Sequence, residues 1–215
     1  MNFKEIHRGL IVSALLADDN VLFNERFVID EPGDIDNCIG ISANVEYYKK
    51  FLAWLTSDDN SVKGAFTAMS EKAQKYAMEY KGRNVAYGPR IMFQIDKVIS
   101  ELRDFPDTRR AVITILEKED HLINDHVKHD DGMIVEFPCT IAYTFHISDN
   151  KLCASTIMRS NNIVSVVGLD VFLATSLQRM IAVALNLECG EYSHFMINAH
   201  IIEAELERAS SYVGK

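Results

Sequence analysis

Residues 171–187 read Val-Phe-Leu-Ala-Thr-Ser-Leu-Gln-Arg-Met-Ile-Ala-Val-Ala-Leu-Asn-Leu and are apolar around most of a helical surface. A surface helix shows one apolar stripe, whereas a helix apolar nearly all round is covered on several sides. The chain therefore has to build other elements around this segment, which becomes its central helix. Ala-Val-Ile-Thr-Ile-Leu from residue 111 is β-rich, and 140–147 alternates Ile141, Tyr143, Phe145 and Ile147 with Thr140, Ala142, Thr144 and His146. Ser-Asp-Asn-Lys at 148–151 supplies a turn, so 140–147 and 152–158 are expected to pair as an antiparallel hairpin. After Gly190, residues 191–201 alternate again, and 202–209 return to a short helical pattern. Upstream, 45–57, 66–80 and 91–104 place apolar residues at helical spacing. An α+β fold follows, with helices against a mostly antiparallel or mixed sheet.

One domain, 1–215, is expected: 48% hydrophobic residues in a chain of this length suffice for one core, and no repeat or Pro/Ser-rich linker divides it. The formal charge of −9 argues against broad contact with nucleic acid or an anionic membrane. An anionic ligand has to be met by a local cluster, and Arg109-Arg110 and Arg159 are the candidates. No apolar run reaches the length of a membrane span, and Met-Asn-Phe-Lys-Glu-Ile-His-Arg lacks the layout of a signal peptide, so a cytoplasmic protein is expected. Cys38, Cys139, Cys153 and Cys189 show no C-x-x-C spacing and read as reduced thiols.

Chemistry concentrates between residues 136 and 162. A lone Pro-Cys139 is more often a small core residue than a nucleophile. Here the thiol precedes the first strand of the hairpin, and Arg159-Ser160-Asn161-Asn162 follows the second, which places thiol and guanidinium on neighbouring elements. Asp170 lies eleven positions beyond Arg159 at the start of the central helix, where it reads as an N-cap, as a ligand-facing carboxylate, or as both. His121, His126 and His129 with Asp125, Asp130 and Asp131 match neither zinc-finger nor H-E-x-x-H spacing; they read as a polar loop, with no metal expected.

Tyr87-Gly88, Arg109-Arg110, Cys139, Arg159-Ser160, Asp170 and His200 occur in the order and approximate spacing of the thymidylate synthase family, which the chain resembles from about residue 26 onward. Within it the likeness is nearest to the deoxycytidylate hydroxymethylases of T-even phages, through Phe27–Pro32, Pro106–Arg110, Asp131-Gly-Met, Cys139-Thr140, Met158–Asn161 and Tyr212–Lys215.

The resemblance implies a thymidylate synthase-like fold, a homodimer, a pyrimidine nucleoside monophosphate as substrate and 5,10-methylenetetrahydrofolate as one-carbon donor. It makes Cys139 the nucleophile that adds to C6 of the base. Arg159 and Ser160 are implied to bind the 5′-phosphate, with Arg109 and Arg110 reaching the phosphate in the other subunit; their plain reading is an exposed basic pair before a strand. Tyr87 is implied to join the hydrogen-bond network at the ring, or is a turn aromatic. Asp170 stands where thymidylate synthases carry an Asn, and a carboxylate suits the amino group of cytosine. His200 falls on a sugar-binding His, with Ile202 at the position of the family's nearby Tyr. Two further departures accompany these matches: the family's catalytic acid falls at Lys50 or Phe51, so Glu46 is the candidate substitute; and Asn162 replaces an Asp that contacts the folate pterin. The implied activity is 5-hydroxymethylation of dCMP or CMP, with methylation of dUMP or nucleotide binding without turnover as alternatives.

Overall fold

The computed structural model describes residues 2–57, 79–80, 83–84, 87–122 and 137–214. Helix α1 (Phe3–Leu16) is capped by Asn2, whose side chain accepts the Glu5 N–H at 3.1 Å, and it buries Phe3, His7, Leu10, Ile11 and Ala14 at helical spacing. Positive φ at Asp19 and Asn20 turns the chain into strand β1 (Val21–Ile29); Asp and Asn enter that region more readily than other residues with a Cβ. Helix α2 (Val45–Leu55) starts at Asn44, which accepts the Tyr47 N–H at 3.0 Å, and it buries Tyr48, Phe51, Trp54 and Leu55. Strands β2 (Glu79–Tyr80) and β3 (Arg83–Asn84) pair antiparallel. The helix expected over 66–80 is therefore corrected at its last two residues, while 66–78 lie outside the described residues.

Helix α3 (Tyr87–Asp104) begins four residues before the expected 91–104, because Pro89 in the first turn needs no helical N–H partner. From it Arg90 reaches Asp120 with two hydrogen bonds of 2.7 and 2.8 Å, and both residues are buried. Asp120 also accepts the Glu117 N–H at 2.8 Å, so this ion pair pins the turn at 117–120 to the helix. Strands β4 (Val112–Thr114), β5 (Thr140–Ser148), β6 (Lys151–Met158) and β7 (Asn161–Asn162) follow, then helix α4 (Val167–Leu185), strand β8 (Glu188–His200) and helix α5 (Leu206–Val213).

The main sheet runs β1-β8-β6-β5-β4, with β7 paired to β8. It is mixed: β8 runs antiparallel to β1 but parallel to β6, and β6–β5–β4 are antiparallel. The expected hairpin is present, with Ser148 opposite Lys151 and positive φ at Asp149 and Asn150, as a two-residue type I′ turn requires. Gly190 permits a close approach in β8, since a Cβ there would stand 2.5 Å from the Cys153 sulfur.

Helix α4 packs against β6, β8, α2 and α3. Buried Gln178 donates to the carbonyls of Leu152 at 2.8 Å and Gly190 at 3.1 Å, tying the helix to β6 and β8. Asn186 ends it in the left-handed conformation. The expectation that no apolar segment reaches spanning length is corrected: this 19-residue helix is long and apolar enough, but 72% of its apolar window is buried inside the protein. The N-cap reading of Asp170 is corrected too. The helix starts at Val167, and the Asp170 N–H already bonds the Val166 carbonyl at 3.0 Å, within the first turn.

Candidate functional site

A cavity of about 400 Å³ opens between α2, the N-terminal turns of α4, the Tyr87 end of α3 and the segment 159–162. Its size suits a small-molecule ligand. The hairpin explains how residues twenty positions apart meet there. Cys139 sits just before β5 and Arg159 just after β6, and the Arg159 N–H donates to the Cys139 carbonyl at 2.8 Å. Parallel pairing of Asn161 with Ala199 and Asn162 with His200 brings the end of β8 to the same rim.

Arg159 is held by its own neighbours. Its Nε donates to the Pro138 carbonyl and its Nη2 to the Phe137 carbonyl, each at 2.9 Å, and its guanidinium lies 4.8 Å from the Phe137 ring centre. Nη2 also stands 3.5 Å from the half-buried Cys139 sulfur. A fixed cation at that distance stabilises a thiolate over a thiol. Tyr87 supports the same backbone: its oxygen accepts the N–H groups of Cys139 and Thr140, each at 3.1 Å. Burial first, and the neighbouring Cys139 second, push the Tyr87 phenol well above its usual pKa, so it remains a proton donor at neutral pH. Burial raises the pKa of Cys38, Cys153 and Cys189, at Cys38 outweighing Arg179, whose Nη1 stands 3.8 Å from the Cys38 sulfur.

Asp170 lines the cavity from the first turn of α4, where its charge also suits the helix dipole. Its Oδ2 accepts the Asn161 side-chain N–H at 2.6 Å. Ser160 and His200 lie together, with Ser160 Oγ 3.5 Å from His200 Nδ1, and burial lowers the His200 pKa. Asn162 is committed elsewhere: its oxygen accepts the N–H groups of Val164 and Ser165 at 2.9 and 3.1 Å, and its amide donates to Glu205 at 2.8 Å.

Residues 42–215 match the thymidylate synthase family. This chain belongs to that family. It is 25% identical to a putative thymidylate synthase of Methanothermobacter thermautotrophicus over 66% of this chain and 64% of the relative. It is also 25% identical to a deoxyuridylate hydroxymethyltransferase of Delftia phage PhiW-14, over 85% of this chain and 53% of that relative. The chain thus matches less than two thirds of either relative's length.

Of the residues expected for a thymidylate synthase family site, Cys139, Tyr87, Arg159, Ser160, Asn162, Asp170 and His200 line this one cavity. Glu46 does not, and its proposed catalytic place is corrected. It is 77% exposed and pairs with Lys49 at 3.0 Å on the outer face of α2, while that helix turns Phe51, Trp54 and Leu55 toward the cavity. Lys50 is exposed, so Phe51 occupies the wall where the expected carboxylate would stand. Arg109 and Arg110 are exposed on the 104–110 turn, away from this cavity, with Arg110 Nη2 paired to Glu101 at 2.9 Å. His121 is exposed, with its ring centre 5.4 Å from that of Phe137; His126, His129, Asp125, Asp130 and the Asp131-Gly-Met segment lie outside the described residues, as does Lys215. Sequence pattern assigned Phe51 and Trp54 to the core without their cavity role, and gave Asn161 none.

Proposed function

We propose that the protein transfers a one-carbon unit to C5 of a cytidine monophosphate, dCMP or CMP, giving the 5-hydroxymethyl nucleotide. The observation that carries this reading is the Cys139 thiol beside the Arg159 guanidinium in a cavity that Asp170 also lines. The Cys139 sulfur adds to C6 of the base, and the electron pair released to C5 makes that carbon the nucleophile. Arg159 and Ser160 face the phosphate, and Tyr87 holds the Cys139 and Thr140 amides and can share its proton with the ring. Asp170 accepts from the exocyclic amino group; among the described lining residues it is also the one carboxylate positioned to move a proton. Once the one-carbon unit is attached, loss of the C5 proton expels the carrier's amine and leaves an exocyclic methylene; water adds to that carbon, and the electron pair returned to the ring expels the thiolate from C6.

Methylenetetrahydrofolate would supply that carbon at the oxidation level of formaldehyde. The apolar wall of Phe51, Trp54 and Leu169 suits a flat ring, and the buried Trp54 indole N–H has no partner among the described residues. Asn162 does not fit a direct pterin contact, since its amide is bonded to Glu205 and to backbone. In a homodimer, Arg109 and Arg110 of one subunit would meet the phosphate held by the other.

Two other readings have specific support. The relatives' names point to uridylate, and Phe51 in place of a carboxylate favours binding without turnover. Tritium release from C5-labelled dCMP, CMP and dUMP separates them. Release from cytidylates that needs both methylenetetrahydrofolate and Cys139 is expected. Preferential release from dUMP supports the uridylate reading; binding with no release from any nucleotide supports the third.

A further inference from the structure

A chain of buried polar groups runs from Asp170 into the sheet, and the proposed reaction does not use it. Asn161, 2% exposed, donates its side-chain N–H to Asp170 Oδ2 at 2.6 Å and turns its oxygen to His194 Nε2 at 3.0 Å. His194 is wholly buried; its Nδ1 lies 2.7 Å from the Tyr192 hydroxyl, which pairs with the Thr156 hydroxyl at 2.8 Å. The proton directions are fixed by valence. An amide that donates to Asp170 has only its oxygen left for His194, so Nε2 must donate. Burial lowers the His194 pKa to about 3, so the ring is neutral, and Nδ1 is then the acceptor for the Tyr192 hydroxyl. Each group holds the next, and the last one fixed is the carboxylate at the cavity.

That matters because a carboxyl group changes what it can recognise when it gains a proton. Ionised, it only accepts, and it suits the 4-amino group of cytosine while repelling O4 of uracil. Protonated, it offers O–H and C=O together, a pattern that can pair with either base. A donor aimed at Oδ2 favours the ionised form. We infer that Asn161, oriented by His194, Tyr192 and Thr156, is the positioning residue that keeps Asp170 an acceptor and so sets cytosine over uracil. This inference rests on the reading of the cavity as a pyrimidine nucleotide site.

The test is calorimetric binding of dCMP, dUMP and deoxyribose 5-phosphate to wild type, Asn161→Leu, Asn161→Ser and His194→Gln. The Asn161→Ser variant guards against a Leu that the buried site rejects. Wild type is expected to prefer dCMP, and either Asn161 variant to narrow the dCMP/dUMP ratio by about tenfold, the loss of a hydrogen bond to a charged group. Deoxyribose 5-phosphate, which has no base, should change less than about twofold, whereas general damage to the cavity would weaken all three ligands together. His194→Gln can still donate to the Asn161 oxygen and should keep most of the ratio. A wild type that prefers dCMP alongside Asn161 variants with the full preference overturns the inference alone. A wild type that prefers dUMP overturns the acceptor role of Asp170, and one that binds neither nucleotide overturns the reading of the cavity as well.

Discussion

The neutral state of His194 predicts how stability changes with pH. The ring is buried in the sheet and stacked on Phe27 at 5.1 Å, and burial lowers its pKa from 6.5 to about 3. In the unfolded chain the ring titrates near 6.5, so between pH 6.5 and pH 3 the unfolded state binds a proton that the folded state refuses. The stability held by neutral His194 is thus complete above pH 6.5 and is lost as pH falls toward 3, at about 1.4 kcal/mol per pH unit. From pH 7 to pH 5 the loss amounts to about 2 kcal/mol. His194→Gln removes the titration and keeps a donor for Asn161. Urea unfolding of both proteins at the two pH values measures the difference. His7 and His200, whose pKa values burial also lowers, are present in both proteins and cancel. Wild type should lose about 2 kcal/mol more than the variant; parallel losses, within about 0.5 kcal/mol, would refute a buried neutral imidazole.

Iodoacetamide at pH 7 should label Cys139 ahead of Cys38, Cys153 and Cys189, and Arg159→Met should slow that labelling by about tenfold, read by peptide mass spectrometry; equal labelling of the four thiols contradicts the proposed activation. Asp120→Asn removes the carboxylate that accepts two hydrogen bonds from buried Arg90 and should cost about 3–5 kcal/mol in urea unfolding, so a loss under about 1 kcal/mol would show the pair to be dispensable. Glu46→Gln should leave dCMP affinity within about twofold, because the carboxylate pairs with Lys49 in solvent. A tenfold loss would return Glu46 to the site.

The elements legible in the sequence are those whose burial repeats locally. The central helix is marked by its long apolar run, and the 140–158 hairpin and β8 by alternation along the strand. Helix α1 blurs its helical spacing by placing the polar His7 on the buried face, and β1 shows no such spacing. In β1, positive φ at Asn24 interrupts the strand, and its burial follows no clean alternation. Much of the cavity could be traced because Cys139, Arg159, Ser160, Asp170 and His200 keep a family order along the chain. Glu46 misled because residues 46 and 50 share one helix face, whereas Phe51, Trp54 and Leu55 form the face that meets the cavity. The Asn161–His194 contact joins residues 33 positions apart across two strands, and no local pattern reports such a pair.

The central claim is a covalent bond between Cys139 and C6 of a cytosine nucleotide, and intact-protein mass spectrometry with 5-fluoro-dCMP tests it most directly. Fluorine cannot leave C5 as a proton does, so an adduct formed in the presence of methylenetetrahydrofolate should persist. Wild type should gain the mass of bound nucleotide with its one-carbon donor, Cys139→Ala should gain nothing, and 5-fluoro-dUMP should modify wild type less. An adduct that survives Cys139→Ala, or wild type left unmodified by 5-fluoro-dCMP, would contradict the account.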